Sequence, residues 1–131
     1  MTTYVVDDLV LTAGLADLGQ EHHRRELSRL LHDAMAGGPG VDVPACCLVA
    51  AAVVRPALAD HVADLMAAAP PGAINICGLS RILRLDSVRR FHRDHTWPTA
   101  HAAVHALTAR LPLVTIEPMR YAGLGLDVMT L

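Results

Sequence analysis

Acidic residues follow two apolar segments near opposite ends of the 131-residue chain. Asp7 and Asp8 come directly after residues 4–6, and Glu117 comes directly after residues 111–116. Because a buried strand tolerates no ionised group at its middle, we expect each acid where its strand emerges. If the two strands are neighbours, Asp7 and Glu117 share one crevice at the carboxyl edge of a parallel sheet, where ligands bind. Two carboxylates in one crevice could share a divalent cation.

Histidine and cysteine residues are a second source of chemistry. His101 and His105 lie four residues apart, a spacing that places both on one helix face and could bind a metal. No acid between them could act as a hydrolytic base, so we interpret the pair as packing residues. Cys46, Cys47 and Cys77 are odd in number, and two of them are adjacent in an apolar segment. This pattern predicts buried thiols in a reducing compartment rather than a disulfide framework or a zinc knuckle.

All eleven basic residues are arginines, and the formal net charge is −2. This balance gives no global field that would recruit nucleic acid, so such contacts must come from a local patch. The densest basic segment, residues 81–93, is open to two interpretations: an exposed helix face, or a surface that contacts phosphates. Its arginines are Arg81, Arg84, Arg89, Arg90 and Arg93. With only four aromatic residues in the chain, binding of single strands by base stacking is disfavoured.

Apolar strands alternate with helical segments along the chain. The patterns predict strands at 4–7, 41–44, 73–77, 113–116 and 127–131, and helices at 8–18, 20–36, 45–54, 57–69, 79–93 and 97–110. Asp8 is expected to cap the first helix, while Asp7 is open to two interpretations, a metal ligand or a strand-end residue that caps this helix. Such alternation predicts βαβ units, and therefore a single three-layer α/β/α domain over residues 1–131. Its central sheet is expected to be mainly parallel, with four to five strands.

Four segments together resemble the PIN domain, a metal-dependent nuclease fold common in bacterial toxin–antitoxin pairs. They are residues 5–7 (Val-Val-Asp), 43–44 (Val-Pro) before an apolar helix, 100–103 (Ala-His-Ala-Ala), and 113–118. With the downstream Tyr121 and the last strand, the resemblance covers nearly the whole chain. It implies a site where three or four carboxylates hold Mg²⁺ or Mn²⁺. In such a site the metal activates a water molecule that attacks an RNA phosphodiester.

The resemblance assigns catalytic and metal-binding roles to two matching acids. Asp7 matches the first acid of the family, and Glu117 matches the acid after the Thr-x pair. The other two acidic positions hold Ala50, six residues after Pro44, and Thr99, eighteen residues before Glu117. Half of the acidic set implied by the resemblance is therefore replaced by uncharged residues.

Two further acids, Asp8 and Asp94, could supplement the metal ligands, although neither matches a family position. Two carboxylates neutralise a dication but leave most of its coordination to water, so Mg²⁺ or Mn²⁺ is expected to bind weakly. We therefore expect a PIN-like domain with a degenerate acidic site, weak or inactive in catalysis, that acts by binding a partner or nucleic acid. The alternative is an active Mg²⁺- or Mn²⁺-dependent endoribonuclease of toxin–antitoxin type. In either case the basic residues expected to contact RNA are Arg84, Arg89, Arg90 and Arg93.

The expected partners are RNA, a cognate antitoxin or other protein, and a second copy of the chain in a homodimer. The N-terminal segment lacks the charged and apolar regions of a signal peptide. The continuous apolar segment 46–54 is about half as long as a membrane span. A cytoplasmic protein without membrane contacts is therefore expected.

Overall fold

The central sheet has five strands, and each strand is parallel to its neighbours. A computed structural model describes residues 3–16, 18–79, 90, 93 and 95–131. The strands are β1 Tyr4–Val6, β2 Val41–Pro44, β3 Ile74–Cys77, β4 Leu113–Thr115 and β5 Val128–Thr130. Their order across the sheet is β3-β2-β1-β4-β5. The predicted α/β class, with a parallel sheet between helical layers, is confirmed.

Five α-helices flank the sheet in the described part of the chain. They are α1 Asp8–Leu15, α2 Glu21–Met35, α3 Ala45–Val54, α4 Ala57–Ala68 and α5 Trp97–Ala109. A short 3₁₀-helix, Pro118–Tyr121, follows β4. These bounds agree with the predicted helices to within one residue, except that α1 ends earlier than expected. The predicted helix 79–93 falls largely outside the described residues.

The core forms because short aliphatic side chains cover both faces of the sheet. Val5 and Val6 of β1 are fully buried at its centre. On α2 the apolar stripe includes Leu27 and Leu30, three residues apart on the inward face. On α5 small side chains allow the helix backbone to approach the sheet closely; they are Ala102, Ala103 and Ala106.

The register of β1 and β4 decides what lies at the carboxyl edge. Val6 pairs with Val114, so the chain leaves β1 at Asp7 directly beside Thr115. Parallel strands end on the same side of a sheet, and the two segments therefore emerge together. The condition on which a shared crevice depended, that these two strands are neighbours, is met.

The cap of α1 differs from the prediction. Asp7, with extended backbone (φ −96°, ψ 178°), is the capping residue, and its Oδ1 accepts a hydrogen bond of 3.0 Å from the Val10 N–H. Asp8 is already the first helical residue, so its carboxylate cannot reach back to cap the helix. The prediction that Asp8 caps this helix was therefore wrong. The Asp8 carboxylate instead accepts a hydrogen bond from Arg120.

Among the helices of the described residues, none combines the length and the apolar character needed to cross a membrane.

Candidate functional site at the carboxyl edge of the sheet

Asp7 lies fully buried at the point where β1 ends and α1 begins. Its Oδ1 caps α1, and its Oδ2 accepts hydrogen bonds from the Thr115 hydroxyl at 2.8 Å and from the Tyr121 hydroxyl at 2.9 Å. A carboxylate removed from water needs such donors, because an unpaired buried charge is costly. Asp7 is therefore held by three separate parts of the chain.

The end of β4 and the segment after it supply two of those three donors. Thr115 ends β4, and its hydroxyl oxygen also accepts a hydrogen bond of 3.1 Å from the Glu117 N–H. This contact turns the chain into the 3₁₀-helix, where Pro118 is compatible with the first turn. The 3₁₀-helix, with three residues per turn, places Arg120 and Tyr121 over the end of β1, where both contact Asp7.

Arg120 places a guanidinium group between the two aspartates. Its Nη1 lies 2.6 Å from Asp8 Oδ1 and 3.4 Å from Asp7 Oδ2, and its Nη2 lies 3.3 Å from Asp8 Oδ2. The Asp8 contact is therefore bidentate, the geometry in which arginine binds carboxylates most strongly. The crevice predicted to receive a cation already contains one, supplied by the chain itself.

Burial dominates the electrostatics of this crevice. It raises the pKa of Asp7, against the hydrogen bonds from Val10, Thr115 and Tyr121, and the nearby charge of Asp8 acts in the same direction as burial. Burial and the charge of Asp7 likewise raise the pKa of Tyr121, so its hydroxyl stays protonated and can donate. Partial burial works to lower the pKa of Arg120, but its hydrogen bond and attraction to Asp8 outweigh this and raise it.

The donor set of the crevice does not fit Mg²⁺ or Mn²⁺. These ions need several oxygen ligands with free lone pairs, usually carboxylates and waters. Both Asp7 oxygens already accept hydrogen bonds, and Asp8 is held by Arg120. Thr99 is buried with its hydroxyl 3.1 Å from that of Thr96. Ala50 offers no ligand atom at all.

The other predicted site residues have different positions. Glu117 is exposed, with its backbone but not its carboxylate tied to Thr115. Arg90 and Arg93 are also exposed. The remaining predicted site residues, Asp94, Arg84 and Arg89, lie outside the described residues. The structure thus brings Asp7 and Asp8 together, and it adds Arg120, which the sequence analysis did not single out.

A second polar cluster lies beneath α5, where β2 and β3 pair. Asp42 is its centre: Oδ2 lies 2.8 Å from His105 Nε2, and Oδ1 accepts a hydrogen bond of 3.0 Å from Asn75 Nδ2. The Cys77 thiol also hydrogen-bonds to this carboxylate. Partial burial works to raise the pKa of Asp42, but hydrogen bonds from His105, Asn75 and Cys77 outweigh it, so this pKa lies below its ordinary value.

Sequence reasoning missed this cluster because it sought functional acids only where strands emerge. The predicted strand 41–44 contains Asp42 between buried Val41 and Val43, but this residue was assigned no role. The ionised group is tolerated because donors from β3 and α5 surround it. A polar residue inside an apolar strand, together with His105 in a buried helix, was the available signal.

Comparisons with known proteins bear on the fold. No protein-family model matches the chain, and no curated protein sequence matches it. Among solved structures, one chain of a toxin–antitoxin complex from Klebsiella pneumoniae superposes with a TM-score of 0.65. The alignment covers 98% of this chain and 97% of that chain, at 18% sequence identity. A match of this kind shows that the two chains share a fold over their whole length.

Proposed function

We propose that this chain is a toxin-like domain of the PIN type that does not cleave RNA and acts by binding a protein partner. The observation that carries the proposal is the Arg120 guanidinium, which lies between Asp7 and Asp8. A tethered monovalent cation balances charge at this position, but it has no coordination sites with which to acidify and orient a water molecule. The fold shared with a chain of a toxin–antitoxin complex supports an antitoxin-type protein as that partner.

Binding of a divalent ion at this crevice has to compete with Arg120. The ion would have to break the bidentate contact with Asp8 and the hydrogen bonds around Asp7 before gaining its ligands. Glu117 is exposed and would have to turn inward. We therefore propose that Mg²⁺ or Mn²⁺ binds weakly here, with Asp7, Asp8 and Glu117 as the ligands if it binds.

An active ribonuclease is the second candidate, and one observation favours it. The Arg120 side chain is 18% exposed and lies on a short 3₁₀-helix, so a bound phosphate could draw it out of the crevice. Asp7, Asp8, Glu117 and Asp94 would then be available to hold a metal. The RNA-contacting residues in this case would be Arg84, Arg89, Arg90 and Arg93.

Cleavage of a structured RNA in millimolar Mg²⁺ or Mn²⁺ separates the two candidates. The wild-type chain is compared with Asp7→Asn, which keeps the size of the side chain, and with Glu117→Gln. We expect no metal-dependent cleavage by the wild type above the level of Asp7→Asn. Cleavage that requires the metal and disappears in both variants would contradict the proposal and support the ribonuclease.

An exposed apolar surface supports binding of protein rather than RNA. On α3, Val49 and Val53 are 63% and 79% exposed, and Val49 borders a groove of about 340 Å³ that includes Trp97 and Pro98. These residues carry no charge that could contact phosphates. A helix face of this kind can pair with its own copy about a twofold axis, so we propose that it forms a homodimer.

Sedimentation over a range of protein concentrations tests the homodimer. We expect the wild type to shift from monomer to dimer as the concentration rises, and Val53→Glu to remain monomeric because it places a charge in the interface. Ala67→Glu, at an exposed position on α4, is the matched control and should dimerise like the wild type. A wild type that stays monomeric at every concentration, or a dimer unaffected by Val53→Glu, would refute this interface.

A further inference from the structure

We propose that Asp42, Cys77 and His105 form a binding site for Zn²⁺. The three residues come from β2, β3 and α5, and none of them takes part in the acidic crevice described above. Their ligand atoms, a carboxylate oxygen, a thiol sulfur and an imidazole nitrogen, all lie within 4.8 Å of one another. Strands and a packed helix hold these atoms, so the site is positioned by rigid elements rather than by a loop.

The chemistry of the three ligands selects zinc over magnesium or manganese. Zn²⁺ binds sulfur, imidazole nitrogen and carboxylate oxygen in tetrahedral geometry, whereas Mg²⁺ requires near-octahedral oxygen ligands. An ionised Asp42 and a Cys77 thiolate together neutralise a dication, and His105 binds as a neutral ligand. Three protein ligands leave the fourth tetrahedral position for water, as in zinc sites that keep an open position.

Hydrogen bonds already give the cluster nearly the required shape. His105 Nε2 and Asp42 Oδ2 are 2.8 Å apart, and ligands around a tetrahedral ion with bonds of about 2 Å lie about 3.3 Å apart. If His105 Nε2 and Asp42 Oδ2 move apart by roughly half an ångström, a metal ion can take the place of the proton that they share. The Asn75 side chain, which donates to the other Asp42 oxygen, holds the carboxylate in place during this change.

The imidazole of His105 can act either as a hydrogen-bond donor to Asp42 or as a metal ligand. Its Nδ1 is buried and has no hydrogen-bond partner among the described residues, so no contact there fixes one tautomer. Nε2 can therefore carry a proton toward Asp42 or present a lone pair to a metal. The side chains of His105 and Asp42 are only 7% and 13% exposed, which screens the site from bulk water but leaves the carboxylate accessible to an ion.

Co²⁺ titration of the untagged 131-residue chain tests the proposal. Tetrahedral Co²⁺ with a thiolate ligand gives intense visible bands and a sulfur-to-metal charge-transfer band in the near ultraviolet, and Zn²⁺ should displace it. Surface histidines cannot produce the charge-transfer band, so the signal is specific for cysteine. We expect these bands in the wild type with one Co²⁺ per chain.

Cys77→Ser is the decisive variant, because its hydroxyl can keep the hydrogen bond to Asp42 while losing the thiolate. We expect the charge-transfer band to vanish and the Zn²⁺ affinity to fall at least about 100-fold, since even residues that merely support a ligand are worth 10–100-fold. Cys46→Ser, at another partly buried cysteine, is the matched control and should keep both.

His105→Gln serves as a second test, and it should also weaken Zn²⁺ binding. A wild type without the charge-transfer band, or a band that survives in Cys77→Ser, would overturn the proposal. In that case the cluster only provides hydrogen-bond partners for the Asp42 carboxylate.

Discussion

Two carboxylates on neighbouring strands of one sheet show how the partner of a buried acid determines what the acid can do. Asp7, at the end of β1, is fully buried and shares its crevice with the permanent charge of Arg120. Asp42, inside β2, is partly buried and is paired with the exchangeable hydrogen-bond donors of His105, Asn75 and Cys77. We propose that the first arrangement stabilises the fold and disfavours a metal, whereas the second leaves ligand atoms that a metal could use.

The largest expected effect is the loss of the Asp7 carboxylate. Asp7→Ala removes the cap of α1 and leaves Thr115, Tyr121 and Arg120 without their shared acceptor. We expect the free energy of unfolding to fall by about 3–5 kcal/mol, as when one partner of a buried ion pair is removed. Urea denaturation followed by circular dichroism measures it.

We expect a smaller loss in Asp42→Ala, about 1–3 kcal/mol, because the donors left unpaired there include no permanent cation. Equal losses in the two variants would show that the two carboxylates do not differ in the way proposed here.

Removing the cation of the crevice is expected to have the next largest effect. Arg120→Met keeps the aliphatic stem but leaves Asp7 and Asp8 close together without a counter-charge. We expect a loss of about 2–4 kcal/mol in the free energy of unfolding, below the fully buried case because the Arg120 side chain is partly exposed. The same denaturation experiment applies. Arg29→Met, which removes an exposed ion pair to Glu26, is the control and should leave stability nearly unchanged.

The Tyr121 hydroxyl is expected to contribute less. Tyr121→Phe removes one of several donors to Asp7 and keeps the packing of the ring. We expect a loss of about 1–2 kcal/mol, since the carboxylate retains Thr115 and Val10 as donors. Tyr4→Phe is the matched control at a tyrosine whose hydroxyl is not among the Asp7 donors, and its thermal midpoint should match the wild type. Equal shifts of the thermal midpoint in the two variants would show that the hydrogen bond from Tyr121 to Asp7 adds no stability of its own.

The contributions of Asp7 and Asp42 to stability should change in opposite directions as the pH rises. The pKa of Asp7 is raised on folding, so the folded state holds its proton more tightly and the contribution of Asp7 falls as pH rises above 3.8. The pKa of Asp42 is lowered, so its contribution is present above pH 3.8 and is lost as pH falls through the folded pKa.

Thermal midpoints from pH 2 to pH 7 test this pair of signs. The stability of the wild type relative to Asp7→Asn should decrease with rising pH. Its stability relative to Asp42→Asn should increase with rising pH over the acidic part of the range. Slopes of the same sign for both variants would contradict the assignment of the two environments.

The sequence predicted the fold well because each element has a local signature. The alternation of apolar strands with helical periods located all five strands, and Pro, Gly and polar residues marked most helix ends. The adjacency of β1 and β4 entered the sequence analysis only as a condition, because the alternation of strands and helices does not fix the order of strands in the sheet.

The contacts inside the site could not be predicted in the same way. Arg120 lies 112 residues from Asp8 in the chain, and His105 lies 63 residues from Asp42. No local pattern distinguishes an arginine that enters a crevice from one that stays in solvent. Asp42 is tolerated inside its predicted strand because distant donors surround it, and a pattern that describes one strand at a time cannot show which donors these are.

Binding of Mn²⁺, followed by the loss of its free-ion electron paramagnetic resonance signal, tests the central claim most directly. With Arg120 in the crevice, we predict that the wild type binds Mn²⁺ no better than Asp7→Asn at millimolar concentration. Arg120→Ala should bind it more tightly than the wild type, and the double variant with Asp7→Asn should lose that gain. Tight binding by the wild type that Asp7→Asn abolishes and Arg120→Ala leaves unchanged would contradict the claim that arginine takes the place of the metal.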